Sequence, residues 1–139
     1  MIILDTNVLS ELMRLEPDIK VLNWMDSQPN NNLGITVITV SEILYGIGKL
    51  PEGKRKKSLL LMAETMFDDD FNGRILPLNG QAAIEYSILV LKREKMGLPI
   101  SMADAIIASI SITEGHSLAT RNTKDFIYTG LDLINPWTE

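Results

Sequence analysis

The sequence contains no cysteine and a single histidine, His116, and both scarcities exclude classes of function. Without thiols the chain has no disulfide, no thiolate metal site and no cysteine nucleophile. One histidine, expected in a solvated turn, cannot supply the imidazole clusters that zinc prefers. The sequence also lacks a glycine-rich phosphate loop and a GxSxG nucleophile motif. The usual nucleophilic and zinc-based chemistries are therefore excluded.

Long apolar runs are also missing. No run approaches the roughly 18–20 residues that a membrane-spanning helix needs, so we expect no contact with a membrane. The N-terminal stretch lacks a basic region and a cleavage site, and Asp5 interrupts it. We therefore expect it to begin a strand and not to be a signal peptide. Together with the absence of cysteine, these features favour a cytoplasmic location.

The chain has no excess of positive charge. Its 13 basic and 18 acidic residues give a net charge of −5, which argues against a generic coat for nucleic acids. A nuclease is not excluded, because an acidic catalytic pocket can carry basic residues at its rim. Basic residues do cluster in three short regions, namely 49–57, 92–95 and 121–124.

Length and patterning predict one domain that covers residues 1–139. Short apolar segments alternate with helical patterns, which favours a three-layer α/β/α domain with a mostly parallel sheet of roughly five strands. The predicted strands cover residues 2–5, 33–37, 74–78, 117–120 and 131–134. The predicted helices cover residues 7–14, 17–26, 40–49, 54–67, 81–95 and 101–114.

Acidic and amide side chains stand near the junctions between these predicted strands and helices. Asp5 ends the first apolar run, Glu42 and Asp104 open helical patterns, and Asn122 and Asp125 follow the fourth strand. The carboxyl ends of parallel strands share one edge of a sheet, so we expect these residues to meet there. Converging carboxylates repel one another and are costly to desolvate. A divalent cation, or an inserted arginine or lysine, would relieve that repulsion.

A purely structural interpretation of the same residues is helix capping. The segments Thr39–Glu42, Ser101–Asp104 and Asn122–Asp125 each resemble a capping box, and Asp5 could cap the helix that follows it. The two interpretations are compatible, because a helix N-terminus also orients a carboxylate for metal binding.

Carboxylate and amide oxygens suit Mg²⁺ or Mn²⁺. Such ions lower the pKa of a bound water and stabilise a leaving oxygen. Phosphodiester hydrolysis is the reaction that this set of residues supports best.

These residues lie in segments that resemble a known family. The chain is similar to PIN-domain proteins, and more closely to the VapC/FitB-like ribonuclease toxins of prokaryotic type II toxin–antitoxin modules. The matching segments run in the family's order and spacing and cover nearly the whole chain. They are residues 3–8, 41–46, 103–108, 119–126 and 135–137.

The resemblance implies an endoribonuclease that uses Mg²⁺ or Mn²⁺ bound by Asp5, Glu42 and Asp104. Many members have a fourth acid where this chain has Asn122, and Asp125 is expected to compensate for the missing charge. The supporting hydrogen-bonding residues that the resemblance implies are Thr6, Asn7 and Thr120.

The resemblance also implies partners. These are an RNA substrate, with tRNA among the candidates, a second copy of the chain in a homodimer, and a cognate antitoxin that inserts a segment into the acidic groove. Operator DNA would be reached only through the antitoxin. Apolar residues of the early helices are candidates for partner contact or for the core, namely Leu12, Met13, Leu15 and Trp24.

Two alternatives remain open from the sequence. Asn122, in place of the usual acid, motivates a catalytically silent PIN-like module whose acidic pocket docks a cationic peptide. A metal-dependent phosphohydrolase that acts on small phosphoesters is the third hypothesis.

Overall fold

Five short strands form one wholly parallel sheet in the computed structural model, which describes residues 1–115 and 117–139. The predicted α/β/α class with a parallel sheet is confirmed. The order across the sheet is β3-β2-β1-β4-β5. The strands are β1 (Ile2–Leu4), β2 (Leu33–Thr36), β3 (Ile75–Leu76), β4 (Ser117–Ala119) and β5 (Asp132–Ile134). His116, which was expected in a turn, lies outside the described residues.

The central strand β1 pairs with β2 on one side and with β4 on the other. Ile2 aligns with Leu33, and Leu4 aligns with Ala119. The chain first builds the sheet through β2 and β3, and then adds β4 and β5 on the opposite side of β1. This reversal creates a topological switch point, where the carboxyl ends of neighbouring strands leave a crevice.

Six α-helices cover the two faces of the sheet in the described part of the chain. They are α1 (Thr6–Leu12), α2 (Ile19–Asp26), α3 (Val37–Gly48), α4 (Lys54–Thr65), α5 (Gly80–Lys95) and α6 (Met102–Glu114). A π-helical segment, Met66–Asp70, continues α4, and a 3₁₀ turn spans Thr123–Phe126. No helix of the described residues combines the length and the apolar character that crossing a membrane requires.

Alternation along β1 divides the core into two clusters, because neighbouring residues of a strand point to opposite faces. Leu4 belongs to a cluster with buried residues of α1 to α4, such as Val8 and Ile43. Ile3 belongs to a second cluster with Leu89 of α5 and Ile107 of α6. Ile3 and Leu4 are both fully buried, so packing on both faces of the sheet fixes the strand that leads into Asp5.

Two helix starts differ from the prediction. The third helix begins at Val37 and not near Val40, because the Thr36 side chain accepts the Thr39 N–H and caps the helix earlier. Pro17 does not lie in the first turn of α2, because Asp18 caps that helix by accepting the Lys20 N–H at 2.8 Å.

The candidates for partner contact on the early helices divide between core and surface. Met13 is buried, and Leu12 and Trp24 are half-buried against the first core cluster. Leu15 alone of the four is open to solvent, with 89% of its surface exposed.

Candidate active site

Asp5 stands at the point where β1 ends and α1 begins, and its carboxylate is fixed by three donors. One oxygen, Oδ1, accepts the Thr6 N–H at 2.8 Å, as an N-cap does. The other, Oδ2, accepts the Thr120 hydroxyl at 2.7 Å and the Asn7 side-chain amide at 3.2 Å. Asp5 is therefore both a helix cap and a precisely oriented carboxylate at the carboxyl end of the central strand.

The electrostatic environment of Asp5 is unfavourable for its charge. Burial raises the pKa of Asp5 from 3.8 to about 6, although the hydrogen bonds from Thr120 and Thr6 lower it. The negative charges of Asp104 and Glu42 make smaller contributions to this rise. Only 6% of Asp5 is exposed, so water screens these charges weakly.

Glu42 reaches the same place from α3. Its Oε1 accepts the Thr6 hydroxyl at 2.7 Å, and the Thr39 hydroxyl lies 3.0 Å from that of Thr6. Because Thr6 gives its one hydroxyl proton to Glu42, Thr39 donates to Thr6 in this chain. The predicted capping role of Glu42 is wrong: α3 begins at Val37, and Glu42 lies within the helix. Its carboxylate is therefore not used by the helix terminus.

Asp104 is the third residue of α6. The Ser101 hydroxyl accepts the Asp104 N–H at 3.2 Å, which confirms the cap predicted at this helix start. Burial raises the pKa of Asp104, and the hydrogen bond to Ser101 lowers it. The negative charges of Asp125 and Glu42 raise the pKa further, and the Arg93 guanidinium lowers it.

Asn122 and Asp125 occupy different positions around the site. Asn122 stands before the 3₁₀ turn, its side chain makes no cap bond, and its N–H donates to the Thr120 hydroxyl at 3.1 Å. The capping box predicted for Asn122 and Asp125 is therefore wrong. Asp125 acts on Asp104 through its charge, and its backbone carbonyl accepts a hydrogen bond from the buried Arg93 at 3.1 Å.

An open cleft of about 470 Å³ brings most of these side chains together at one edge of the sheet, but Asp125 is not among the residues that line it. The predicted site residues that line it are Asp5, Thr6, Asn7, Glu42, Asp104 and Asn122. Further residues line it that the sequence did not single out for the site, namely Ser10, Glu11, Arg14, Arg121 and Trp137. Thr120 supports the cleft as a buried residue beneath Asp5.

The unpredicted residues of the cleft differ in the signal that the sequence offered. Arg121 and Trp137 lie in two of the segments that resemble the family, so their position near the acids was available from that resemblance. Arg14 offered no such signal. It forms an ion pair with Glu11 at 3.2 Å, one helical turn away.

The side chains of the cleft fit a hard divalent cation in chemistry, although no complete cage is formed. Their donor atoms are carboxylate, amide and hydroxyl oxygens, which Mg²⁺ and Mn²⁺ prefer. Within residues 1–115 and 117–139, no three carboxylate or imidazole groups lie close enough to bind one ion together. The three-ligand assignment to Asp5, Glu42 and Asp104 therefore stays a prediction.

Comparisons with known proteins agree with this geometry. A model of the PIN domain family matches residues 2–130. The chain is 40% identical over 137 residues to VapC ribonuclease Y4jK of Sinorhizobium fredii, which covers 99% of this chain and 98% of the relative. It is 35% identical to toxin FitB of Neisseria gonorrhoeae, with 99% of each chain covered.

Solved structures show the same relationship. A structure of FitAB bound to an IR36 DNA fragment superposes with a TM-score of 0.93 at 35% identity, covering 99% of this chain and 96% of that chain. The matches in sequence extend over almost the whole chain, and the superposition extends over the whole sheet and its helices. This chain therefore belongs to the PIN domain family, among the VapC and FitB proteins.

Proposed function

We propose that this chain is an Mg²⁺- or Mn²⁺-dependent endoribonuclease toxin that a cognate antitoxin inhibits. The observation that carries the proposal is the open cleft at the sheet edge, whose lining includes the carboxylates of Asp5, Glu42 and Asp104. Asp104 and Glu42 each raise the pKa of Asp5, and Glu42 raises that of Asp104. The names of the relatives, a VapC ribonuclease and a toxin, support the same activity.

The proposed division of roles follows from the contacts. Asp5, Glu42 and Asp104 would hold the cation, which when bound lowers the pKa of water for attack on phosphorus and stabilises the leaving oxygen. Hydrogen bonds from Thr120 and Asn7 orient the Asp5 carboxylate, and a hydrogen bond from Thr6 orients that of Glu42. These hydroxyl and amide donors keep the acids oriented before RNA arrives, which reduces reorganisation in the transition state.

The acidic cleft also explains how a protein partner would inhibit the chain. An inserted guanidinium pairs with carboxylates through two parallel hydrogen bonds and so replaces the cation. The match to a structure of FitAB bound to a DNA fragment supports an antitoxin partner and a complex that binds DNA. That only the antitoxin contacts the DNA stays a prediction. The homodimer, the cytoplasmic location and the use of tRNA stay predictions. A catalytically silent module is not favoured, because the relatives that match over the whole chain carry ribonuclease and toxin names.

Cleavage of RNA by the purified chain tests the proposal. We expect cleavage with Mg²⁺ or Mn²⁺, none with EDTA, and loss of about 100-fold or more in rate for Asp104→Asn, since a carboxylate that holds the cation is removed. Asp26→Asn is the matched control, because Asp26 is exposed at the end of α2, outside the cleft. Full cleavage by Asp104→Asn protein, or undiminished cleavage in EDTA, would reject the proposed function.

Glu42→Gln is a clean second variant. Since Thr36 and not Glu42 participates in capping α3, the substitution leaves the helix start intact. Glutamine also retains an oxygen that can accept the Thr6 hydroxyl. A loss of activity without a loss of stability would therefore report on the charge of Glu42.

A further inference from the structure

Arg121 and Trp137 form one wall of the acid cleft and are not among the proposed metal ligands. The Arg121 guanidinium carbon lies 5.2 Å from the centre of the Trp137 ring, and both residues line the cleft with Asp5 and Asp104. A guanidinium over an indole face is an attractive cation–π arrangement. We call this pair the Arg121–Trp137 wall.

Backbone and side-chain hydrogen bonds hold the two members in place. The Arg121 N–H donates to Asn7 Oδ1 at 3.3 Å, which ties the wall to the residue that also orients Asp5. The Trp137 N–H donates to Asn135 Oδ1 at 3.0 Å. Trp137 is half-buried and packs against the first core cluster. Contacts with the core therefore hold the Trp137 side of the wall in place.

Arg121 is a cation of the cleft that is available to a ligand. Arg14, the other arginine of the lining, is paired with Glu11 at 3.2 Å. Within residues 1–115 and 117–139, no carboxylate lies within 4.0 Å of the Arg121 guanidinium. Arg121 is exposed, and its charge is held beside acids that would otherwise repel a phosphate.

We propose that the Arg121–Trp137 wall is a nucleotide subsite, on which one unpaired base of single-stranded RNA stacks beside the acids. This inference rests on the proposed ribonuclease function. Unstacked bases bind aromatic rings and guanidinium planes, because every base presents a π-face, and the arginine attracts the adjoining phosphate. A cleft of about 470 Å³ has room for a nucleotide. Bases in a duplex cannot reach such a wall, so the subsite selects unpaired segments.

Fluorescence of Trp137 gives a direct test, since the chain has only two tryptophans. The test protein carries Trp24→Phe, so that Trp137 alone emits, and Asp104→Asn, so that RNA is not cut. The probes, in Mg²⁺ buffer, are a short single-stranded RNA of mixed sequence, an abasic ribose-phosphate strand of the same length and a matched RNA duplex. We expect single-stranded RNA to quench Trp137, and the abasic strand and the duplex to leave the emission nearly unchanged.

Arg121→Gln and Lys124→Gln form a matched pair of charge changes. Lys124 is exposed in the next turn and does not line the cleft. We expect Arg121→Gln to weaken RNA binding about tenfold or more, as loss of a stacked base contact does, and Lys124→Gln to weaken it much less. In the otherwise natural chain, Arg121→Gln should raise the KM for RNA cleavage with little change in kcat, which a merely structural defect would not do.

The results that overturn the subsite are distinct from those that overturn the proposed function. Undetectable RNA binding, unchanged Trp137 emission on binding, equal quenching by the abasic strand, or equal effects of the two glutamine variants would each reject the subsite. Cleavage of RNA by the unaltered chain is measured alongside. If RNA is cleaved but the emission of Trp137 does not change on RNA binding, only the subsite is rejected. If RNA quenches Trp137 but is not cleaved, only the proposed function is rejected.

Discussion

Replacing Asp5 by asparagine should stabilise the metal-free protein at neutral pH, although Asp5 caps a helix. The pKa of Asp5 is raised from 3.8 to about 6, chiefly by burial. Since each pKa unit corresponds to about 1.4 kcal/mol, the ionised side chain opposes folding by about 3 kcal/mol once the pH exceeds 6. Asparagine removes that charge and keeps an oxygen that can accept the Thr6 N–H, which Asp5 Oδ1 accepts at 2.8 Å.

The gain in folding stability is reduced because one hydrogen bond of Asp5 is lost in the Asp5→Asn protein. The amide that replaces Oδ2 would face the Asn7 side-chain amide, which now donates to Oδ2 at 3.2 Å, and two donors cannot bond to each other. Thr120 can rotate its hydroxyl and accept instead. Losing the Asn7 bond costs about 1 kcal/mol, so the expected net gain for Asp5→Asn at about pH 7.5 is about 2 kcal/mol.

The sign of the effect should reverse in acid. Well below pH 3.8 the carboxyl is protonated in both the folded and the unfolded chain, so it contributes no charge penalty. As the pH rises from 3.8 to about 6, the unfolded chain loses the proton first and the natural protein becomes less stable. Asp5→Asn lacks this decline, so at about pH 3 it should be less stable than the natural protein by about 1 kcal/mol.

Urea unfolding in EDTA at both pH values measures these differences. Asp18→Asn is the control, because Asp18 caps α2 through the same kind of bond, to the Lys20 N–H, outside the cleft. Asparagine caps a helix about as well as aspartate, so this control should change stability by less than about 0.5 kcal/mol. If Asp5→Asn is no more stable than the natural protein at neutral pH, the cleft does not store the electrostatic strain described here.

Three further outcomes are expected from the same contacts. Thr120→Val removes the hydroxyl that donates to Asp5 Oδ2 at 2.7 Å, so it should cost about 2 kcal/mol in urea unfolding at neutral pH and raise the pKa of Asp5 further; an unchanged stability would contradict this. Arg93→Met should lower the free energy of unfolding by about 3 kcal/mol, because the buried guanidinium donates to three backbone carbonyls. Lys92→Met, at the exposed neighbouring residue, is the control and should change thermal unfolding little. Mn²⁺ affinity measured by calorimetry should fall steeply as the pH drops below about 6, because the cation and the proton compete for Asp5; a flat profile from pH 7.5 to 5 would show that Asp5 is not a ligand.

Much of the fold could be predicted from the pattern of apolar residues. The run before Asp5 predicted a buried strand, and Ile3 and Leu4 are indeed fully buried on opposite faces. The parallel sheet followed from the alternation of strands with helices. From that arrangement the meeting of Asp5, Glu42 and Asp104 at one edge could be expected, although they are far apart in sequence.

What could not be predicted depended on competition between local contacts. Thr36 and Thr39 are both suitable caps, and only the folded chain shows that Thr36 starts α3 and so leaves Glu42 free to accept the Thr6 hydroxyl. The resemblance placed Arg121 and Trp137 near the acids, but the contact between the guanidinium and the indole depends on where the C-terminal segment crosses the sheet edge. No local pattern encodes that crossing, because it is fixed by tertiary packing.

The position of a bound Mn²⁺ ion, located by its anomalous scattering in a crystal of the purified chain, tests the central claim most directly. We expect one strong peak in the cleft, about 2 Å from carboxylate oxygens of Asp5 and Asp104, with Glu42 turned toward it. A peak that lies elsewhere, or no peak at a Mn²⁺ concentration that supports RNA cleavage, would contradict the account.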